Sequence, residues 1–303
     1  MASPGGKEAI VKLFATHVAA CGSLLVLSVG AAAADTKINL VAAENFYGNI
    51  AGQIAGDRAD IVSIMSNPDQ DPHLFETTPS VVREVAAARI VIVNGADYDA
   101  WMEKLLNAAP QPGRMVITVA DILGKKAGDN PHLWYAPDTA SAVGKAISEA
   151  LGSVDPAHRA DYANRFATFV ASLEPMRQKI AAIRAKYAGV PVTATEPVFG
   201  YMAGALKLEM RNTHFQLAIM NDTEPSANDV AAFERDLKQH KVRMLLYNKQ
   251  AVDTVVQRLV DLARASNIPV VGVTETAPPG VSYQDWIVAE LNDVERALAG
   301  PST

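Results

Sequence analysis

Residues 155–189 read DPAHRADYANRFATFVASLEPMRQKIAAIRAKYAG, and this run interrupts an otherwise regular alternation of strand-like and helix-like segments. Its large apolar residues recur at spacings of four and three, through Tyr162, Phe166, Phe169, Leu173, Met176, Ile180, Ile183 and Tyr187, which makes one continuous seam. Asp155 stands where a cap is expected, Pro156 suits the first helical position, and Gly189 marks a C-terminal stop. Pro175 has no N–H to give, so it predicts a kink inside the helix. About 30 helical residues at about 1.5 Å each span roughly 45 Å. That is too long for the crossover of a single βα unit. The stretch therefore predicts a stiff backbone crossing from one lobe to another; a coiled-coil seam for dimerisation is the alternative reading.

Outward from this helix the pattern is the same on both sides. Before it, the sequence predicts strands over 37–42, 59–65, 89–94 and 115–119, with helices over 45–55, 79–88, 97–108 and 137–151. After it come strands over 191–195, 243–247 and 269–273, with helices over 199–207, 226–239, 250–266 and 283–299. Repeated βα units of this length imply mostly parallel sheets covered on both faces. The expected fold class is α/β: two βα lobes with mostly parallel sheets joined by one long interlobe helix. The N-terminal lobe runs over 35–152, the interlobe helix over 153–189 and the C-terminal lobe over 190–303.

The first 34 residues read differently. Lys7 and Lys12 precede a mostly apolar run over 13–30, and Gly30-Ala31-Ala32-Ala33-Ala34-Asp35 offers a small-residue cleavage site. This predicts a signal peptide over 1–34 and a periplasmic, exported protein. The alternative is a lipoprotein anchored through Cys21, after Val18-Ala19-Ala20. Cys21 is the single cysteine of 303 residues, so a mature chain without it has no disulfide, no thiolate metal site and no cysteine nucleophile. The net charge of -6 argues against a nucleic-acid partner, which would call for a basic patch.

Chemistry gathers at two related motifs, Asp71-Pro72-His73-Leu74-Phe75 and Asn130-Pro131-His132-Leu133-Trp134, in a chain with six histidines. Proline stiffens the turn on which each imidazole sits. His73 follows the strand over 59–65, and His132 follows that over 115–119. Glu196 and Glu275 each fall just past the carboxyl end of an apolar strand, where ligands bind in open parallel α/β sheets. Two imidazoles and two carboxylates converging on one cleft suit a divalent first-row metal. Asp222 and Glu224 compete for the fourth place. His158 and His240 lie in charged helical stretches and read as solvated, and His214 falls in an expected loop or strand.

With these motifs in this order, the chain resembles the metal-binding substrate-binding proteins of ABC importers, the zinc and manganese family. The resemblance runs from about residue 37 to 298. It includes Asn45-Phe46-Tyr47, both Pro-His motifs, the interlobe helix, Glu196-Pro197-Val198-Phe199-Gly200-Tyr201, and Glu224-Pro225-Ser226 before a helix. It implies a metal site of His73, His132, Glu196 and Glu275. The family usually has aspartate at the fourth position, so Glu275 is a departure. It also implies that Glu224 is not a ligand. One divalent ion, zinc or manganese with iron as a further option, would be the transported ligand. A membrane permease of an ABC importer would be the partner, with the protein itself monomeric and not an enzyme.

Other functions remain open on the residues alone. A secreted metalloenzyme needs an open coordination position and a general base, and neither H-E-x-x-H nor G-x-S-x-G occurs. A binding protein for an organic solute needs a larger aromatic-lined pocket, and three tryptophans are available. Nothing directly supports an adhesin. Two carboxylates harden the site toward manganese or ferrous iron, whereas zinc accepts the same donors.

Overall fold

The computed structural model describes Met1 and residues 37–68, 75–251 and 253–300. The expected signal peptide over 1–34 and His73 lie outside the described residues. In chain order, the first half contains β1 (Ile38–Glu44), α1 (Asn45–Ala55), β2 (Ala59–Met65), α2 (Pro79–Ala87), β3 (Ile90–Val93), α3 (Ala100–Ala108), β4 (Met115–Thr118), α4 (Val119–Ile122) and α5 (Thr139–Val154). Two helices come next, α6 (Arg159–Ser172) and α7 (Glu174–Tyr187). The second half contains β5 (Pro191–Ala194), α8 (Gly200–Ala205), β6 (Glu209–Arg211), α9 (Thr213–Met220), α10 (Ala227–Lys238), β7 (Leu245–Asn248), α11 (Thr254–Ala265), β8 (Val270–Val273) and α12 (Tyr283–Ala299).

Each half builds one four-stranded sheet in which every pairing is parallel, in the orders β2-β1-β3-β4 and β6-β5-β7-β8. The run Ile90-Val91-Ile92-Val93 is buried throughout, as expected of a parallel strand covered on both faces. Parallel pairing brings all carboxyl ends to one edge of each sheet. Glu44, Asn94, Glu196, Asn248 and Glu275 therefore leave their strands on the same side. Gly48 lets α1 approach β2, because a Cβ there would come within 2.1 Å of Ser63 Oγ.

The long helix forms, and its seam is buried: Tyr162, Leu173, Met176 and Ile183 are all inaccessible. It is not continuous. α6 stops at Ser172 and α7 restarts at Glu174 with Pro175 in its first turn, because a proline there cannot donate to the preceding turn. The Asp155 side chain caps no backbone N–H of the following turn. Its carboxylate accepts from the Tyr162 hydroxyl and faces His158 Nδ1, both at 2.7 Å, so His158 is tethered rather than free.

Three other segments differ from expectation. The strand β6 and helix α9 were not expected; β6 is only three residues, too short to show alternation. His214 consequently sits on a helix, with its side chain 85% exposed. The helix expected from 97 begins at Ala100, since Ala96 and Asp97 adopt left-handed φ of 51° and 65°. The helix expected from 250 begins at Thr254, because Asn248 and Gln250 are engaged in side-chain bonding instead. Among the described residues no helix is long and apolar enough to cross a membrane.

One apolar core runs through both sheets and the helices between them. Phe46 of α1 packs on Trp134 at 4.7 Å and on Trp286 of α12 at 5.8 Å, and Tyr135 meets Phe199 at 5.2 Å. Polar bonds cross the same boundary. The Tyr283 hydroxyl donates to the Trp134 carbonyl at 2.6 Å. The Asn45 amide pairs with the backbone of Ala277, donating to its carbonyl at 2.7 Å and accepting from its N–H at 2.9 Å. Asn45→Ala should leave the Ala277 carbonyl and N–H unpaired and lower stability by about 2–6 kcal/mol, at roughly 1–3 kcal/mol per unsatisfied group. Urea denaturation of the variant checks this; an unchanged midpoint would contradict it.

Candidate metal centre

His132 is placed by its own turn. Pro131 precedes it, and a short 3₁₀ turn over Leu133–Tyr135 buries the three residues after it. Asn130 bends back so that Oδ1 accepts from the His132 backbone N–H at 3.1 Å and lies 2.6 Å from Nδ1. That contact assigns the proton to Nδ1 and leaves the Nε2 lone pair facing the interior. Asn130 is itself held from the second half, donating to the Pro197 carbonyl at 2.8 Å, while its carbonyl accepts from Tyr201 at 2.7 Å. Gly200 leaves the room this needs: a Cβ there would lie 3.0 Å from Asn130 Nδ2.

Glu196 follows β5 and Glu275 follows β8, and β7 lies between those strands. Asn248 at the end of β7 donates to Glu196 Oε2 at 2.8 Å and to Glu275 Oε1 at 2.5 Å. Gln250 supports the arrangement, accepting from the Glu275 N–H at 2.6 Å and donating to Thr276 Oγ1 at 3.1 Å. His132, Glu196 and Glu275 are 0%, 3% and 0% exposed. Each offers a donor atom within 4.8 Å of the others.

His132 Nε2 stands 3.3 Å from Glu275 Oε2 and has no hydrogen-bond partner among the described residues. A buried imidazole nitrogen facing a carboxylate oxygen at this distance suits a shared proton or a cation. Two atoms each about 2.0–2.2 Å from one metal stand roughly 3–4 Å apart, so the spacing fits a common ion. Three of the four residues expected from sequence therefore meet, and the fourth, His73, lies outside the described residues. Asp222 and Glu224 do not join this group among the described residues. They line, with Glu196 and Asp253, a cavity of about 500 Å³ beside it.

Around the centre lie groups that sequence reasoning missed. Asn248 could have been found by asking which residue ends β7, since its neighbours β5 and β8 both deliver carboxylates. Glu290 of α12 accepts from Trp286 Nε1 at 3.0 Å and lies near Tyr135, whose hydroxyl donates to the carbonyl of Thr274 at 2.8 Å. Burial pushes the Glu290 carboxyl up to about 7, against the pull of the Trp286 hydrogen bond.

The family described as zinc-uptake complex component A, periplasmic, matches residues 40–297. The manganese ABC transporter substrate-binding lipoprotein PsaA of Streptococcus mitis is 23% identical over 292 residues, covering 88% of this chain and 91% of its own. The metal ABC transporter substrate-binding lipoprotein ScbA of Streptococcus cristatus is 22% identical, covering 87% and 90%. Among solved structures, the periplasmic zinc binding protein TroA from Treponema pallidum superposes with a TM-score of 0.70 at 18% identity, covering 86% of this chain and 99% of its own. The manganese-bound periplasmic metal binding protein from Candidatus Liberibacter asiaticus gives 0.68 at 17% identity, covering 86% and 100%.

The position of Glu290 fixes a pH dependence. The folded chain holds its proton up to about 7, whereas the ordinary value is 4.5. Between those values the folded state binds more protons than the unfolded one, so this group makes stability fall as pH rises across that window. Glu290→Gln should therefore raise stability at pH 8 by about 1–3 kcal/mol, at about 1.4 kcal/mol for each tenfold change in proton affinity. The gain should vanish near pH 4.5, the ordinary value. Denaturant unfolding at both pH values checks it, and an equal effect at both would contradict the assignment.

Proposed function

The chain belongs to the family of zinc-uptake complex component A periplasmic proteins, and from that premise we propose that it captures one divalent transition metal at His73, His132, Glu196 and Glu275. The site lies in the cleft between two lobes, and the ion passes from there to the membrane permease of an ABC importer. The protein is a substrate-binding component and not an enzyme. The observation that carries the site is His132 Nε2 facing Glu275 Oε2 at 3.3 Å with both residues fully buried. Glutamate in place of the family's usual aspartate still reaches the imidazole.

The donor set is rich in oxygen, which suits manganese or ferrous iron; zinc accepts the same donors. The named relatives include both manganese and zinc binders. The acidic cavity beside Glu196, lined by Asp222, Glu224 and Asp253, would raise the local concentration of an approaching cation. The lobes are assigned to 35–152 and 190–303, with the connecting helix over 153–189, and the working form is a monomer. Export depends on residues 1–34, removed after Ala34. Some relatives are lipoproteins by name, and lipid attachment at Cys21 is the competing form. Amino-terminal sequencing decides, because a start at Asp35 supports cleavage and a lipid-blocked Cys21 overturns it.

Calorimetric titration of metal-free protein with zinc or manganese should give one ion per chain. Affinity should fall as pH is lowered, because protons compete with the metal for the imidazole and the carboxylates. His132→Ala should lose more than the roughly 10–100-fold typical of an outer-shell partner. No binding of either ion by the wild-type protein would overturn the reading.

A further inference from the structure

Glu44 ends β1, an interior strand of the first sheet. It is 0% exposed, and among the described residues no other residue donates a hydrogen bond to either of its carboxylate oxygens. An ionised carboxylate in that state would be severely destabilising. Two residues past the Ala42–Ile92 pair, Glu44 stands level with Asn94 on the neighbouring strand, whose N–H the Asp99 carboxyl holds at 2.7 Å, and Asp99 is the charged group that acts on it.

Asp99 has a defined task. Its two oxygens accept from the backbone N–H groups of Asn94 and Gly95, at 2.7 Å and 2.8 Å. These bonds close a turn containing three consecutive left-handed residues, Gly95, Ala96 and Asp97, with φ of 75°, 51° and 65°. Two of those are not glycine, and each costs about 1 kcal/mol or more in that conformation, so the turn exists only while it is held. It carries two contacts to the metal centre. Asn94 Nδ2 donates to the Pro131 carbonyl at 2.8 Å, and Tyr98 packs edge-on against the His132 ring at 6.2 Å. Tyr47 completes the bracket by donating to Asn94 Oδ1 at 2.7 Å.

Two neighbouring carboxyls in a dry interior are strongly disfavoured from both being ionised. Asp99 has both oxygens filled by donors, which favours the charge there. The proton then belongs on Glu44. Burial and the neighbouring Asp99 both push the Glu44 carboxyl well above the usual range, which agrees with that division.

We propose that Glu44 is a positioning residue of the metal centre, a neutral carboxylic acid that donates a hydrogen bond to Asp99 and so locks the 94–99 turn on which His132 leans. It is not a ligand: it does not belong to the group formed by His132, Glu196 and Glu275. The inference rests on the proposed metal-capture function of that group.

Two variants separate the roles. Glu44→Gln keeps the shape and supplies an N–H donor to Asp99, without any charge. Glu44→Leu keeps the bulk and removes the donor. Affinities for manganese and zinc are measured by competition titration on the full chain. The visible spectrum of the cobalt-loaded protein reports the geometry at the metal. Glu44→Gln should bind with an affinity close to wild type and an unchanged cobalt spectrum. Glu44→Leu should lose roughly 10–100-fold, the range seen when an outer-shell partner is removed, with a shifted spectrum. A Gln variant as weak as the Leu variant would show that a charge is needed and overturn the proposal, and so would a Leu variant that binds like wild type. If the Leu variant does not fold, the Gln variant alone decides, because loss of affinity there refutes a neutral donor. Failure of the wild-type protein to bind any metal would instead refute the proposed function.

Discussion

Glu196 and Glu275 are buried side by side, and two carboxylates so placed repel each other unless something between them donates or carries positive charge. Asn248 supplies the donors, one amide bond to each. It holds the carboxylates at a fixed spacing but is itself neutral, and the group that faces Glu275 from the other half is the bare nitrogen of His132. Such an arrangement suits a cation. The free energy to hold it so comes from elsewhere: the parallel sheet that delivers β5, β7 and β8 in one plane, and the Asn130 hydrogen bond that fixes the imidazole.

The two halves are positioned by a shared interior rather than by the connecting helix alone. Phe46, Trp134, Tyr135, Phe199 and Trp286 form one aromatic cluster drawn from both halves. Opening the halves as rigid bodies would expose these rings and break the Asn45 and Tyr283 bonds. Burying one such side chain is worth about 1.5–3 kcal/mol, so wide opening is strongly disfavoured. The break between α6 and α7 does not change this, since Leu173 at the break is itself buried in the core.

Much of this was legible in the sequence because it depends on period and position. The βα alternation gave both sheets, the seam from Tyr162 to Ile183 gave the connecting helices, and the strand-end rule placed Glu196 and Glu275 beside His132. The parts that stayed hidden depend on contacts between distant residues. Asn248 looks like any polar residue at a strand end until β7 is known to lie between β5 and β8. Glu44 and Glu290 look like ordinary acidic residues at an element end and on a helix, and only burial makes them unusual. The strand β6 was too short to show a period, and α9 is entered through Asn212 in a left-handed conformation, which leaves no standard capping signal.

The proposed metal capture places one ion among His132, Glu196 and Glu275, whose donor atoms lie within 4.8 Å of one another. The most direct test is a crystal structure of the manganese- or zinc-loaded protein with anomalous data collected at that metal's absorption edge. A single strong peak within about 2.0–2.3 Å of His132 Nε2 and of an oxygen from each glutamate is the predicted result. A peak elsewhere, or one coordinated by Asp222, Glu224 and Asp253 in the outer cavity with His132 left unbound, would contradict it.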